Sequence, residues 1–282
     1  MLDNRVYTFL KLCELMNYRR TAQALNLTQP AVTQHIHVLE REYGCPLFHY
    51  NGHTLHQTEQ CLELERHLRA EVYNERAFRE KLDRPAAIHL AIGATKTIGD
   101  YTIETQVLEL LGREDVELEL IIDNTINLLA KLNAMELDFL LVEGFVDKEN
   151  YGTTLIKEEV LTGICAKDHP FAGRSVPLEE LFREHIILRE SGSGTRAVFE
   201  EFLYERGYNV SRFRRRSVIS SFKLIEKAVA NHMGVSFVYE SIPKSRETLA
   251  TFSIEGVRIS HEFNVVFLKN SSVEEKLAQL KL

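Results

Sequence analysis

The sequence predicts a mixed α+β and α/β chain of 282 residues: a small winged helical head, one long connecting helix, and a rear domain of two α/β lobes. Three observations carry this. Short helical patterns and one hairpin signal fill the first stretch. A charged helical pattern then runs unbroken to Asp83-Arg84-Pro85. Beyond Pro85, short apolar runs alternate with helical stretches, the pattern of a mostly parallel sheet wrapped by helices. The length suits about two domains at roughly 100–200 residues each.

Composition narrows the class. Hydrophobic residues make up 44% and charged residues 27%, as in ordinary globular proteins. Cys13, Cys45, Cys61 and Cys165 form no C-x-x-C pair, so neither a disulfide scaffold nor a zinc ribbon is expected. No apolar run approaches the roughly 18–20 residues of a membrane span. Asp3, Asn4 and Arg5 make the N-terminus unlike a signal peptide, and a reduced, cytoplasmic protein is expected. The net charge of −7 argues against a nonspecific nucleic-acid coat. Residues 1–84 hold 11 of the 34 basic and 11 of the 41 acidic residues, so the head is neutral and the rear carries the whole deficit. His35, His37, His49, His53, His56 and His67 all fall in the head.

The first helix rests on the apolar stripe Val6, Phe9, Leu10, Leu12, Cys13 and Met16. A short second helix covers about Arg19 to Leu25, and Asn26-Leu27 makes the turn. Thr28 suits an N-cap and Pro30 a first helical turn. The third helix runs from about Gln29 to Tyr43 on Val32, Ile36 and Leu39, and Gly44 ends it. Asn51-Gly52 is a hairpin signal, which makes residues 47–57 a two-stranded wing. From Thr58 to Leu82 a helix of roughly 37 Å is expected at ~1.5 Å per residue. Its narrow stripe (Leu62, Leu64, Leu68, Val72, Phe78) predicts a dimer seam.

In the rear domain, strands are expected at Ile88–Gly93, Val116–Ile122 and Phe139–Val142, with helices at Ile98–Leu111 and Asn127–Met135. The grammar resumes with a strand at Ile186–Leu188, a helix at Thr195–Glu205, a strand near Val218, a helix at Phe222–Asn231 and a strand at Val235–Tyr239. Two such halves predict two lobes with a cleft, and ligands of open α/β sheets sit at the carboxyl ends of the strands.

A tight turn before a Thr-capped helix is helix–turn–helix geometry, in which the second helix enters a major groove. Gln29, Thr33, Gln34 and His37 lie outside its apolar stripe and can bond base edges and phosphates. A solvated bundle face would carry the same residues. The run Asn17-Tyr18-Arg19-Arg20-Thr21-Ala22-Gln23-Ala24-Leu25-Asn26-Leu27-Thr28-Gln29-Pro30-Ala31-Val32-Thr33-Gln34-His35-Ile36 closely resembles the N-terminal domain of LysR-type transcriptional regulators. Leu39-Glu40, Gly44-Cys45-Pro46-Leu47-Phe48 and Thr58-Glu59 keep the same spacing.

The resemblance implies a winged helix–turn–helix over 1–58 and a linker and dimerisation helix over 59–84. It implies an effector-binding domain over 85–282 with a periplasmic-binding-protein-like, two-lobed fold. Lobe I is expected at about 85–162 plus 265–282, and lobe II at about 163–264. It implies a homodimer, usually doubled to a tetramer, on double-stranded promoter DNA. Gln29, Pro30, Thr33 and Gln34 would face the DNA. Arg19, Arg20, Thr28, His37 and His53 complete the candidate DNA contacts. No metal, cofactor or membrane partner is expected. The family usually has a basic residue where Gln34 stands, often another at His37, and an Arg-rich wing where this chain reads His49-Tyr50-Asn51-Gly52-His53-Thr54. Cys61 replaces a common Gly. Fewer fixed charges predict a shallower salt dependence, and histidine protonation at lower pH would restore part of the charge.

Ser191-Gly192-Ser193-Gly194-Thr195-Arg196 stands between a strand and a helix. Open N–H groups, hydroxyls and a helix N-terminus make an anion cradle; a flexible loop with an ordinary cap would look the same. The run is similar to that of family members sensing small anionic metabolites. Ala94-Thr95-Lys96-Thr97 follows the first strand of the rear domain, and the resemblance places it at the effector cleft. The candidate effector contacts are Thr95, Lys96, Thr97, Asn124, Thr125, Glu143, Ser191, Ser193, Gly194, Thr195, Arg196 and Ser220. Asn124, Thr125 and Ser220 could equally be simple caps, and Lys96 a surface residue. Glu143 argues against a purely anionic pocket, and either Arg196 or a cationic part of the ligand could pair with it.

Two other classes compete. Gly192 to Ala197 formally fits G-x-G-x-x-A, with Arg214-Arg215-Arg216 about twenty residues on, as in a dinucleotide-dependent enzyme. The strand ends near Leu188, too early for that turn, and the arginines read better as an exposed edge strand. No nucleophile elbow occurs, and His49, His53 and His56 read as solvated wing residues rather than metal ligands. A stand-alone cytoplasmic small-molecule-binding protein would not need the first 84 residues. Cys165, in an apolar strand, is expected to be a buried structural thiol.

Overall fold

The computed structural model describes residues 3–83, 88–240, 242 and 248–280. The chain divides into two units. The front unit spans Met1–Ala87 with Leu268–Glu275, and the rear unit Ile88–Phe267 with Lys276–Leu282.

In the front unit, α1 (Asn4–Leu15) starts at Asp3, whose side chain accepts from the Arg5 N–H over 2.8 Å. It buries Phe9 and Leu12 completely. α2 (Tyr18–Ala24) is capped by Asn17. Asn26 takes a left-handed conformation, φ 55°, in the turn that follows, which a short polar side chain tolerates better than most. α3 (Gln29–Tyr43) begins on the Thr28 cap and ends on Gly44 at φ 70°, at the limits its capping residues predict. Val32, Ile36 and Leu39 are buried. The wing is β1 (Phe48–Asn51) paired antiparallel with β2 (Thr54–Gln57) around Gly52, φ 65°.

α4 (Glu59–Asp83) is the long helix. It corrects two positions of the expected partner-facing stripe. Leu64 and Leu68 are buried within the chain, together with Cys61, Ala70, Tyr73 and Ala77, and α4 packs on α1 and β2. The large apolar side chains left exposed are Leu62, Phe78 and Leu82. Cys61 lies with its Sγ 4.0 Å from that of Cys13, both thiols free and buried. Burial pushes the Cys13 thiol far up. Asn74 accepts from the Ser272 N–H over 2.7 Å and donates to the Asn270 carbonyl over 3.2 Å, which ties the returning segment to this helix.

The rear unit opens with β3 (Ile88–Thr95). The single expected helix over 98–111 is two, α5 (Lys96–Tyr101) and α6 (Glu104–Leu111), because the chain turns at Thr102-Ile103 to bury Ile103. Then come β4 (Val116–Asp123), α7 (Thr125–Asn133) and β5 (Phe139–Glu143). β3 pairs parallel with both β4 and β5. β6 (Tyr151–Ala166) crosses to the second lobe, with β7 (Ser175–Val176), α8 (Leu178–Leu181), β8 (His185–Leu188), α9 (Gly194–Tyr204), β9 (Arg215–Val218), α10 (Phe222–Ala230) and β10 (Ser236–Tyr239). β11 (Leu249–Ile254) and β12 (Ile259–Leu268) lead back, and α11 (Glu274–Leu280) ends the described chain.

The main sheet has eight strands and is mixed, which corrects the expectation of a mostly parallel one. β12 runs antiparallel to β5, and both β10 and β11 antiparallel to β6. Long β6 and β12 are the strands that cross between lobes. Arg215 and Arg216 of the arginine run open an exposed strand, β9, parallel to β8, and Arg214 directly precedes it. Cys165 is fully buried on β6, and burial pushes its thiol up to about 11.

Candidate DNA-binding surface and effector cleft

On the front unit, Gln29, Pro30, Gln34 and His37 are exposed on α3, with Thr33 half-buried between them. The Val32–Ile36–Leu39 stripe fixes the opposite face in the core, so these side chains point out by helical periodicity. Thr33 donates its hydroxyl to the Gln29 carbonyl over 3.1 Å. Thr28 is spent on the cap, accepting from the Ala31 N–H at 3.3 Å. Arg19 and Arg20 are exposed in the first turn of α2, and His53 at the tip of the wing. His49 and His56 stack across the hairpin with ring centroids 5.7 Å apart. Glu40 accepts from the Leu47 N–H at 2.9 Å, holding the wing to α3. His35 is taken up structurally, its Nδ1 2.8 Å from the Thr8 hydroxyl.

In the rear unit, the ends of β3 and β5 meet the start of α9. Thr95, Thr97, Glu143, Ser193, Gly194 and Thr195 are buried together there. Thr95 donates to one oxygen of Glu143, and Thr195 donates to the other over 3.3 Å. Since Thr195 gives its proton to Glu143, its 3.4 Å contact with Thr97 has Thr97 as the donor. All three hydroxyl protons therefore run inward to Glu143. Burial raises the Glu143 carboxyl above its usual range, and the bond from Thr95 only partly offsets this. Gly194 lies against the Glu143 carbonyl so closely that a Cβ there would collide with it.

The other expected residues divide. Asn124 caps α7, accepting from the Asn127 N–H over 2.9 Å. Ser191 and Ser220 are exposed, and the Ser220 contact is through its carbonyl. Arg196 does not meet Glu143; it pairs with Glu200 at 2.9 Å and donates to the Arg189 carbonyl at 3.1 Å. Lys96 is not a plain surface residue. Its Nζ donates to Glu190 over 3.1 Å and to the Ser220 carbonyl over 3.2 Å. Ser193 stands at the N-cap position of α9 but makes no cap bond. Its hydroxyl and that of Thr125 are buried without a partner among the described residues. The two segments face each other: a Cβ at Gly192 would lie 3.3 Å from the Ile126 side chain and 3.5 Å from that of Asn124.

Arg189 and Glu190 are absent from the expected set. Arg189 is 4% exposed, bound to Glu190 through Nε at 2.9 Å and Nη2 at 3.1 Å. Its Nη1 is buried without a partner among the described residues. The available signal was position: Arg189 directly follows the apolar strand Ile186–Leu188, at its carboxyl end.

A helix–turn–helix with an outward polar face, joined in one chain to a two-lobed domain whose cleft is rich in buried hydroxyls, defines a ligand-responsive DNA-binding protein. Residues 4–62 match the model of the bacterial regulatory helix-turn-helix proteins of the lysR family, and residues 84–281 that of the LysR substrate binding domain. The chain belongs to the LysR family of transcriptional regulators. It is 27% identical to the regulator CysL of Bacillus subtilis, over 97% of this chain and 88% of that one. It is 28% identical to the RuBisCO operon transcriptional regulator of Allochromatium vinosum, over 89% and 84%. Its fold is that of hydrogen-peroxide-bound mutant OxyR from Corynebacterium glutamicum (TM-score 0.61, 22% identity, 98% of this chain and 89% of that one). The rear domain also matches the Synechocystis CcmR regulatory domain in complex with 2-PG (TM-score 0.61, 23% identity, 68% and 95%). The chain is thus a DNA-binding transcriptional regulator modulated by a small molecule, not an enzyme.

Proposed function

We propose that the cleft between the lobes takes a small anionic effector. The partnerless buried donors Ser193 Oγ and Thr125 Oγ1, from facing segments of the two lobes, carry this reading. A buried donor left unsatisfied costs about 1–3 kcal/mol, and an anion would engage both, together with the uncapped N–H groups of α9 and Arg189 Nη1. Thr95, Thr97, Thr195 and Gly194 then act behind the ligand, by fixing Glu143 and the helix start. Lys96, Asn124, Glu143, Ser191, Arg196 and Ser220 form the surrounding wall. The 2-PG bound to the regulatory domain of CcmR is a ligand at a domain of the same fold.

Gln29, Pro30, Thr33, Gln34 and His37 are the proposed groove-reading residues. Arg19, Arg20, Thr28 and His53 are proposed at the phosphates and groove edge. The functional divisions proposed are 1–58 for DNA binding, 59–84 for the linker and 85–282 for the effector domain. Exposed Phe78 and Leu82, one helical turn apart, support self-association through α4 as a homodimer, and pairs of dimers as a tetramer. An effector shifts the population of two assemblies only through different affinity for each. A promoter-DNA partner supports a cytoplasmic location.

The test is fluorescence anisotropy of the protein on labelled duplex from upstream of its own coding region, against scrambled duplex, with anions screened for a change in affinity. Preference for the upstream duplex, and an anion response lost in Ser193→Ala, is the expected result. A response that survives both Ser193→Ala and Thr125→Ala would overturn the placement of the ligand.

A further inference from the structure

The cations that an anionic effector would seek are already occupied. Lys96 opens α5 in the first lobe, and Arg189 follows β8 in the second. Glu190 bridges them: one oxygen accepts from Lys96 Nζ at 3.1 Å and from Arg189 Nη2 at 3.1 Å, and the other from Arg189 Nε at 2.9 Å. Lys96 and Glu190 side chains are 28% and 19% exposed, so the bridge is largely shielded from water.

We propose that Glu190 is a built-in counter-anion, holding the lobes together through Lys96 and Arg189 until a doubly charged effector displaces it. The proposal rests on the cleft being the effector site, and it names the ligand's charge. Replacing Glu190 by a singly charged group exchanges one ion pair for an equal one. A group with two negative charges, such as a phosphomonoester or a dicarboxylate, gains roughly twice the attraction at the same distance. The free Nη1 of Arg189 offers an additional donor in the planar fork that suits oxyanions. Burial opposes charge on Glu190, but the bonds and charge of Arg189 and the bond from Lys96 outweigh it and hold the carboxyl below its usual range. Glu190 therefore remains an anion at neutral pH and competes as one. Asp100 also faces this cluster. Burial raises its carboxyl, with the charges of Arg189 and Lys96 partly offsetting.

The probe is inorganic phosphate, titrated calorimetrically into the full chain at pH 7.5, with acetate as the monoanion. Glu190→Gln is expected to bind phosphate at least tenfold more tightly than the unaltered protein, with a smaller gain for acetate. Adding Lys96→Met should reverse the gain. Glu190→Ala should behave like Glu190→Gln if the latter is poorly folded. Phosphate affinity unchanged or weakened in both Glu190 variants, or no binding to any of the proteins, overturns the proposal. If Ser193→Ala removes phosphate binding while the Glu190 variants gain none, the cleft reading stands and the counter-anion fails. A gain in the Glu190 variants that Ser193→Ala leaves untouched keeps the counter-anion and moves the ligand away from α9.

Discussion

Glu143 and Thr195 belong to different lobes, and the Thr195 hydroxyl donates to the Glu143 carboxylate across 3.3 Å. Beside them the Gly194 backbone touches the Glu143 carbonyl. The lobes thus meet on main chain, where no rotamer change can make room. Gly194→Ala should force them apart and destabilise the rear domain by about 1–3 kcal/mol, the usual cost of overpacking. Urea unfolding measures the loss, and phosphate titration the effect on the cleft. An alanine variant as stable as the parent would show that the approach is softer than its geometry. Gly144 sits in the same contact at φ +101°, so a side chain there is strained twice over.

The charge on Glu143 gives a pH signature. Its carboxyl is raised in the folded protein, mainly by burial. Between the unfolded value near 4.5 and the raised one, the folded state binds more protons than the unfolded state. Stability from this group is therefore greatest at low pH and falls as pH rises through that window. Glu143→Gln keeps an acceptor for the threonines and removes the titration. The stability difference, variant minus parent, should grow from pH 4.5 to pH 8. A difference that stays flat over that range would mean Glu143 remains charged in the fold at no cost.

Local chemistry made much of the front unit legible. Thr28, Pro30 and Gly44 bounded α3, and Asn51-Gly52 marked the wing. Less was legible where distant chain segments decide. β6 is sixteen residues long, but Lys157-Glu158-Glu159 interrupts any apolar run, because it crosses between lobes with both faces partly wet. Nothing local marks it as the strand to which β10 and β11 pair. The structure brings Thr95, Thr97, Glu143, Ser193, Gly194 and Thr195 together, but the bonds among them were not legible in the sequence. Hydroxyls at strand ends point to ligand contacts on sequence grounds, whereas the bonds of Thr95 and Thr195 run to a carboxylate 48 and 52 residues away in the chain. Leu64 and Leu68 read as a partner-facing seam because the segments that cover them are remote in sequence.

The Asp138–Lys276 pair closes the C-terminal part of the rear unit. Lys276 Nζ lies 2.7 Å from Asp138 Oδ1, and Oδ2 accepts from the Ala91 N–H at 2.8 Å. The Asp138 side chain is 1% exposed. Its replacement by Ala removes the acceptor of the Ala91 N–H and the pair with Lys276 together, and breaking buried pairs of this kind costs roughly 3–5 kcal/mol. Asp138→Ala should lose stability in that range by urea unfolding, and Lys276→Met less, because the Ala91 bond survives. Equal losses in the two variants would mean that the ion pair, not the bond to the sheet backbone, dominates.

On α3, Gln34 and the Arg pair of α2 should separate sequence reading from phosphate binding. Gln34 is exposed on α3, with Pro30 and His37 beside it by helical periodicity. An amide there can form paired bonds to a base edge, each such pair being worth about 1–3 kcal/mol of discrimination. Arg20 is exposed at the start of α2, and the role proposed for it is at the backbone phosphates rather than the bases. Gln34→Ala should lower affinity for the operator far more than for scrambled duplex, leaving the salt slope unchanged. Arg20→Ala should weaken both duplexes alike and reduce the slope of log affinity against log salt by about one. Anisotropy titrations at several salt concentrations read both quantities at once. If Gln34→Ala weakens the two duplexes equally, the groove-facing surface is set elsewhere on α3. Base contacts from the wing would then carry the preference, since its His53 is exposed at the tip and the Glu40–Leu47 bond holds it in fixed relation to that helix.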